Sequence, residues 1–352
     1  MSQFHKLTIK DIQKETTNAV SITLDVPANL KDIFSFKAGQ SITFKVTLNG
    51  KEIRREYSIC TSPKSGELKV VVKKVEGGIF STYANTKLNI GDIVVVSHPN
   101  GRFVFKPQKD TSKTVAAFAA GSGITPIIGI AKTLLEEEPQ SSFMLVYGNK
   151  TPSDTIFYNE LVKLQEAYPE RFILQFVYSQ SEETDALFGR IDKSVVNFAL
   201  KNKFKHLNPT AFYLCGPESM IHTVKDTLIE NGASKDQIFF ELFTVPVADT
   251  STIVESKTDG MTKVTVMVDD EETTFLMSQT KSILEAALAE DIDAPYSCQG
   301  GICSSCLARL TEGEAVMRQN NILTDSELAE GLILTCQAYP TTSTVSVDYD
   351  DV

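Results

Sequence analysis

Four cysteines in the last quarter of the chain are spaced to hold iron. Cys298, Cys303 and Cys306 follow C-x4-C-x2-C, and Cys336 lies about thirty residues further on. A 2Fe–2S cluster needs four thiolates, two on each iron, and this is the plant-type spacing for one. Gly300 and Gly301 let the backbone wrap closely, and Ser304 and Ser305 are small, so amide N–H groups can approach the cluster sulfurs. Such hydrogen bonds help set a potential that lies near about −400 mV for plant-type clusters. A four-cysteine zinc site would show two short Cys pairs, or Cys with His, whereas Cys336 has no close companion in sequence. Buried thiols without a ligand role are the remaining reading.

Other stretches have residue types suited to nucleotides. Arg55-Glu56-Tyr57-Ser58 offers a guanidinium for a pyrophosphate, a ring to pack on another ring, and a hydroxyl that can hydrogen-bond near flavin N5. Taken alone it more often means an exposed Arg beside a core Tyr, and it gains weight from the glycine turn that follows. Gly77-Gly78-Ile79-Phe80-Ser81-Thr82 could open a helix over phosphates or form an ordinary β-turn. Gly121-Ser122-Gly123-Ile124-Thr125-Pro126 follows an apolar run and precedes a helical period; Pro126 suits a first helical turn. It is neither the full G-x-G-x-x-G fingerprint nor a P-loop with its Lys, and a generic strand-to-helix turn is the lesser, competing reading. Cys215-Gly216-Pro217-Glu218 marks a second such turn at the same sheet edge, with Cys215 either at a nucleotide or simply buried.

Positioning these groups takes three architectures. Alternating or β-branched runs at 20–26, 40–46, 68–75 and 93–97, separated by Gly, Pro and Asn, predict an antiparallel β-barrel over the first hundred residues. Strands at 115–119, 143–147, 172–178, 211–214 and 238–241 then alternate with helical periods at 127–137, 160–168, 191–199 and 220–231. That alternation predicts a doubly wound α/β layer on a parallel sheet. Residues 245–260 lose periodicity and read as a mobile linker. Beyond it, 263–268 and 273–276 predict a hairpin around the acidic 269–272 turn, and 282–290 a helix ahead of the cysteines. The expected divisions are 1–107, 108–245, a linker at 246–260, and 261–352.

Composition narrows the classes of function. The chain's 352 residues exceed one ordinary core, and 42% hydrophobic with 22% charged residues is the balance of a globular protein. A formal net charge of −11 argues against a nucleic-acid partner, which needs a basic face. It is compatible with docking on a basic protein surface, or with solubility alone. Residues 1–20 hold no apolar leader, and no apolar run is long enough for a bilayer, so no membrane partner is expected. The expected location is cytoplasmic, where six cysteines serve as ligands, catalytic thiols or core residues rather than disulfides.

Together these residues resemble the ferredoxin–NADP reductase superfamily with a ferredoxin domain fused at the C-terminus. The family's flavin signature R-x-Y-S/T matches Arg55, Tyr57 and Ser58, and its second flavin-phosphate element matches Gly77, Gly78 and Ser81. Its nicotinamide-nucleotide glycine motif matches Gly121, Gly123, Thr125 and Pro126. Its C-G-P motif, whose Cys lies near the nicotinamide, matches Cys215, Gly216 and Pro217. Phe240-Glu241-Leu242-Phe243 resembles the segment where acidic and aromatic groups approach the flavin. The resemblance implies a multidomain fold: an antiparallel β-barrel FAD domain, an α/β doubly wound NAD(P) domain and an α+β β-grasp 2Fe–2S domain.

This domain order is that of reductase components of bacterial multicomponent oxygenases. Tyr147-Gly148-Asn149-Lys150, Pro295-Tyr296-Ser297-Cys298 and Leu334-Thr335-Cys336-Gln337-Ala338 are similar to reductases serving phenylacetyl-CoA ring epoxidases. Relatives carry at position 150 an Arg that can meet the 2′-phosphate of NADP; Lys150 keeps the charge without the bidentate fork, which favours NADPH over NADH only modestly. The implied path runs from NADPH as hydride to FAD, then singly through the 2Fe–2S cluster to the oxygenase component, a di-iron enzyme acting on an aryl-CoA thioester. Ser58, Cys215 and Glu241 are the residues implied to shape the hydride step. Two other readings stay open: a reductase for an aromatic-ring or steroid hydroxylase, and an iron–sulfur redox sensor with a vestigial flavin site.

Overall fold

β-Branched and aromatic residues of the first hundred positions fold as a six-stranded antiparallel sheet. In neighbour order its strands are Lys51–Ser58, Ser41–Leu48, Ile93–Ser97, Phe4–Thr16, Ala19–Asp25 and Leu68–Lys73. The outer two meet through a bridge between Ile59 and Val70 and a bond from Cys60 N–H to the Lys69 carbonyl, 2.9 Å, which closes the barrel. Leu7, Ile22, Ile42, Phe44 and Val70 fill it. One of its strands, Phe4–Thr16, escapes the alternation test because charged residues crowd its outer face, whereas Arg55-Glu56-Tyr57-Ser58 ends a barrel strand, Lys51–Ser58, as its sequence predicts. The computed structural model describes residues 4–243 and 260–352, which fall in two compact units, Gln3–Phe243 and Thr244–Val352. The expected linker at 246–260 lies outside the described residues except for Gly260.

The rest of the first unit is a parallel sheet ordered Ala186–Phe188, Phe172–Tyr178, Ser142–Asn149, Thr114–Ala120, Ala211–Gly216, Ile238–Leu242. The chain starts at Thr114–Ala120, runs to one edge, and returns to the other side of its starting strand at Ala211–Gly216. That reversal opens a crevice at the carboxyl ends of these two strands, where open α/β sheets bind ligands. The helix Ile124–Glu137 is apolar almost all round and buried between sheet and barrel. Its far end is pinned by Arg171, whose guanidinium donates to the carbonyls of Leu135 (3.2 Å from each of two nitrogens), Glu138 (2.7 Å) and Ser141 (2.9 Å). The helix expected at 191–199 begins only at Lys193, because the Asp192 carboxylate accepts from Val195 N–H at 2.9 Å and caps it.

The second unit holds a five-stranded mixed sheet, ordered Glu271–Ser278, Met261–Val268, Thr344–Asp348, Leu307–Glu312, Leu332–Leu334. Met261–Val268 and Thr344–Asp348 are parallel, the other pairs antiparallel, and the helix Ile283–Ala289 packs over Val264, Leu334 and Val345. This is the β-grasp plan. The hairpin turn is tighter than the acidic run implies: only Asp269 and Asp270 lie in it, both left-handed at φ +52° and +62°, and Glu271 and Glu272 already pair. A two-residue hairpin needs that backbone, and Asp tolerates it better than most residues. Among the described residues no helix is long and apolar enough to cross a membrane.

Arg171→Met should leave the end of Ile124–Glu137 with unpaired carbonyls. The expected loss is about 2–3 kcal/mol of unfolding free energy, measured by urea titration.

Candidate functional site

The barrel contributes one wall. Ser58 ends its strand nearly buried, paired in register with Ser41. Of the two arginines before it, Arg54 is buried and ion-paired to Glu52 at 2.8 Å. Arg55 is exposed, with one guanidinium nitrogen on the Arg54 carbonyl at 2.7 Å and further donors for an anion. Tyr57 meets Phe44 edge-on at 5.9 Å and lies tilted on Phe80 at 5.5 Å. Phe80 belongs to the helix Ile79–Thr86, so this packing ties the Arg55–Ser58 stretch to the Gly77-Gly78 turn ahead of that helix. The Ser81 hydroxyl accepts from Val75 N–H at 3.1 Å and donates to the Gly78 carbonyl at 3.4 Å. It builds the turn; what the turn offers outward is a helix N-terminus with no side-chain cap.

The crevice supplies the facing wall. Gly121 takes φ +56°, a left-handed conformation, and turns the chain from Thr114–Ala120 into its helix. A Cβ on Gly123 would stand 2.1 Å from the Cys215 carbonyl oxygen. Gly123 thus lets the two strand-to-helix turns touch, and only glycine can. The Thr125 hydroxyl, buried, donates to the Ser122 carbonyl at 3.0 Å, Pro126 sits in the first helical turn, and Tyr147 donates to the Gly121 carbonyl at 2.9 Å. Gly216 and Pro217 end the neighbouring strand and start the helix Glu218–Glu230.

The two walls meet at a carboxyl group. Cys215 pairs in register with Glu241 on the adjacent strand, and the Ser58 hydroxyl donates to Glu241 Oε2 at 3.1 Å, across 183 residues of sequence. Burial lifts the Glu241 carboxyl to about 8, Glu56 pushes it further up, and the Ser58 hydrogen bond opposes them. Burial, with Glu241 adding, also holds the Cys215 thiol well above its usual range. Cys215 is therefore a neutral thiol suited to packing and weak hydrogen bonding, not a thiolate nucleophile.

Three polar groups at this site escape a reading of the sequence. Lys73 ends a barrel strand and looks like part of a β-run, yet its ammonium stands 3.3 Å from where a Gly121 Cβ would be. Burial lowers its pKa, Asp154 opposes this, and Lys150 lowers it further. Asn149 and Tyr178 are register partners at the carboxyl ends of neighbouring strands, each with a buried polar atom, Nδ2 and the hydroxyl, lacking a hydrogen-bond partner. The Tyr147 and Thr155 hydroxyls stand near them without completing a bond. Lys150 follows directly and is exposed. Two lysines, uncapped helix amides and orphaned polar atoms around a glycine turn are a donor set that fits a dinucleotide.

In the second unit the four predicted cysteines form two pairs. Cys298 and Cys303 sulfurs are 3.1 Å apart, and Cys306 and Cys336 hydrogen-bond to each other. Among the described residues no three His, Cys, Asp or Glu side chains gather around a single-ion position. Pairs of sulfurs suit two irons better than one zinc. Cys298 is drawn below its usual range by Cys303 first, burial opposing, and then by the amides of Gly300, Ile302 and Cys303. Cys336 is lowered by Cys306, and the Gly301 amide and Gln337 side chain help. Thiols ringed by amide donors are the chemistry a 2Fe–2S cluster needs, and the loop fits one.

Three family models match: an oxidoreductase FAD-binding domain over residues 6–105, an oxidoreductase NAD-binding domain over 118–226, and a 2Fe-2S iron-sulfur cluster binding domain over 266–341. A component of 1,2-phenylacetyl-CoA epoxidase from Escherichia coli (strain K12) is 38% identical, over 99% of this chain and 99% of that protein. The ferredoxin reductase component of 3-ketosteroid-9-alpha-monooxygenase from Rhodococcus rhodochrous is 30% identical, over 97% of this chain and 96% of its own. Among solved structures, phthalate dioxygenase reductase superposes with a TM-score of 0.62 at 25% identity, covering 98% of both chains. An intact type IV self-sufficient cytochrome P450 monooxygenase gives 0.71 at 20% identity over 98% of this chain and 41% of its own, a likeness of fold.

Glu241 holds its proton in the folded state up to about pH 8, whereas an unfolded Glu ionises near 4.5. Its share of stability is complete below the lower value and is lost as pH rises through the upper one. Urea midpoints should therefore fall between pH 5.5 and 8.5 in the natural protein, and Glu241→Gln should remove part of that fall.

Proposed function

The chain belongs to the ferredoxin–NADP reductase superfamily, among reductases with a C-terminal 2Fe–2S domain, and we propose that it carries electrons from NADPH to the oxygenase of a phenylacetyl-CoA ring epoxidase. It is an electron-transfer oxidoreductase with FAD-binding, NAD-binding and 2Fe–2S domains. The observation that carries the proposal is the meeting of Ser58, Glu241 and Cys215 at the sheet's crevice, in a chain that also holds a paired-cysteine loop.

Bound FAD supplies conversion of a hydride into single electrons, and a bound 2Fe–2S cluster passes these on one at a time. The chain's part is positioning. Arg55 and the amides after Gly77 and Gly78 neutralise the FAD pyrophosphate; Tyr57 packs on its rings. Gly121, Gly123, Thr125, Pro126, Gly216 and Pro217 shape the nicotinamide-nucleotide cradle, with Lys73 and Lys150 placing positive charge beside it. Ser58 orients a hydroxyl at the reacting edge, and Glu241 holds that hydroxyl and a proton behind it. Cys215 packs against the nicotinamide. Cys298, Cys303, Cys306 and Cys336 ligate the iron.

Two observations support an oxygenase as the partner. Identity to the epoxidase component runs the whole length of the chain, and the acidity is concentrated. Residues 244–352 carry nineteen Asp and Glu against five Lys and Arg, while the rest of the chain has 26 against 29. An acidic ferredoxin unit favours a partner with a basic docking face. The steroid-hydroxylase reading rests on the 30% relative, and the higher identity to the epoxidase component outweighs it. Domain limits of 1–107, 108–245 and 261–352, and a cytoplasmic location, belong to the same proposal.

The test is stopped-flow reduction of the purified yellow-brown protein by NADPH and NADH, followed by turnover with the oxygenase part of a phenylacetyl-CoA epoxidase. NADPH should bleach the flavin and then the cluster, and phenylacetyl-CoA should be consumed. A steroid oxygenase turning over faster would overturn the choice of partner, and a colourless protein inert to NADPH would refute the reading altogether. Lys150→Ala should raise KM about tenfold for NADPH, with little change for NADH, as expected for one lost charge-assisted bond to the 2′-phosphate.

A further inference from the structure

Four buried side-chain polar atoms lack a hydrogen-bond partner among the described residues, and two of them flank the cysteine loop. One is the hydroxyl of Ser297, a residue only 4% exposed that directly precedes Cys298. The other is Nδ2 of Asn321. Its backbone N–H donates to the Gly301 carbonyl at 3.2 Å, in the middle of the Cys298–Cys303 loop, and the Gly301 amide itself bonds to the Cys336 sulfur. Asn321 therefore sits against the loop that spans one cysteine pair and whose Gly301 amide reaches a sulfur of the other.

The neighbouring asparagine shows that this placement is built. Asn320 Oδ1 accepts from the backbone N–H of Ile322 (3.3 Å) and Leu323 (2.8 Å), and its Nδ2 donates to the Leu323 carbonyl at 2.9 Å. Asn320 thus uses both ends of its amide to lock the turn. Asn321, carried on that locked turn, spends neither amide hydrogen on the protein. Buried donors in folded proteins find acceptors, because an unmet one costs as much as the desolvation it suffered. Ser297 adjoins the first cysteine in sequence, Asn321 is held to the cysteine loop through its backbone N–H, and the loop's own backbone amides are already turned to sulfur.

We propose that the Ser297 hydroxyl and the Asn321 side-chain amide donate hydrogen bonds to sulfur atoms of the 2Fe–2S cluster and its cysteines, and so raise the cluster's reduction potential. The proposal rests on the electron-transfer reading and names two positioning residues for it. One-electron reduction adds a negative charge that spreads over the sulfurs, so a donor aimed at them stabilises the reduced form more than the oxidised form. Ser297 and Asn321 would then make the cluster a better electron acceptor from the flavin without touching either the flavin or the partner.

The experiment is an EPR-monitored redox titration of the full-length, cluster-loaded protein. Ser297→Ala and Asn321→Leu should each keep two irons per chain yet lower the reduced-to-oxidised ratio at fixed poise by about tenfold, equal to about 59 mV for one electron. Ser297→Thr, which retains the hydroxyl, should restore the natural potential; a structural role would not single out the hydroxyl. Intact clusters with unmoved potentials in both variants overturn the proposal. Should a variant lose its iron, pulsed EPR of the natural protein labelled with side-chain 15N asparagine decides: a nitrogen coupling at hydrogen-bond range supports Asn321, and its absence overturns that assignment. A natural protein with no iron and no signal on reduction would defeat the electron-transfer reading itself, and the proposal with it.

Discussion

Between Gly123 and the carbonyl of Cys215 there is no room for a side chain. Two strand-to-helix turns, from neighbouring strands that are far apart in sequence, are pressed together there until backbone meets backbone. The parallel sheet puts them side by side because the chain reverses its winding direction between these strands. Once the turns touch, the position of Cys215 is settled by the sheet, and the register of the last strand sets Glu241 beside it. The barrel is fitted to this arrangement, with Ser58 reaching the carboxyl. A small shift at Gly123 would be transmitted through all of these contacts, since packed interiors yield little.

The sequence reveals those parts whose chemistry is local. Cys298, Cys303 and Cys306 lie within one loop, so spacing alone carries their meaning, whereas Arg55, Tyr57 and Ser58, though within one strand, gain theirs only beside the other motifs. The alternation of strand and helix between residues 114 and 242 is similarly plain, because each element must show its own period. What could not be read depends on distant contacts. Lys73 looks like the end of a barrel strand until the barrel is laid against the Gly121 turn. Asn149 and Tyr178 became a pair only through the register of two parallel strands. Phe4–Thr16 failed the alternation test because a strand on a barrel's surface carries charges wherever it faces water. Asn320 and Asn321 are identical letters with opposite duties, and only the hydrogen bonds separate them.

Charge and burial are arranged differently in the two units. In the reductase unit the groups around the crevice are few, with Cys215 buried and Glu241 and Lys73 half-buried: Glu241 keeps a proton at neutral pH, Cys215 stays neutral, and Lys73 is weakened as a base. In the second unit, Cys303 and Cys306 draw down their partners Cys298 and Cys336, with backbone amides helping, while most of the acidic side chains stand elsewhere on the surface. The first arrangement suits movement of a hydride and a proton in a dry place. The second suits movement of an electron alone, with surface charge left over for recognition.

Glu241 stands two residues before Phe243, the last residue of the reductase unit. The peptide leading to the ferredoxin unit is thus rooted at the carboxyl that meets Ser58, rather than at a remote corner of the fold. A pull on the chain just past Phe243 would therefore be felt first by the strand Ile238–Leu242 and by the carboxyl it carries, since packed strands yield together.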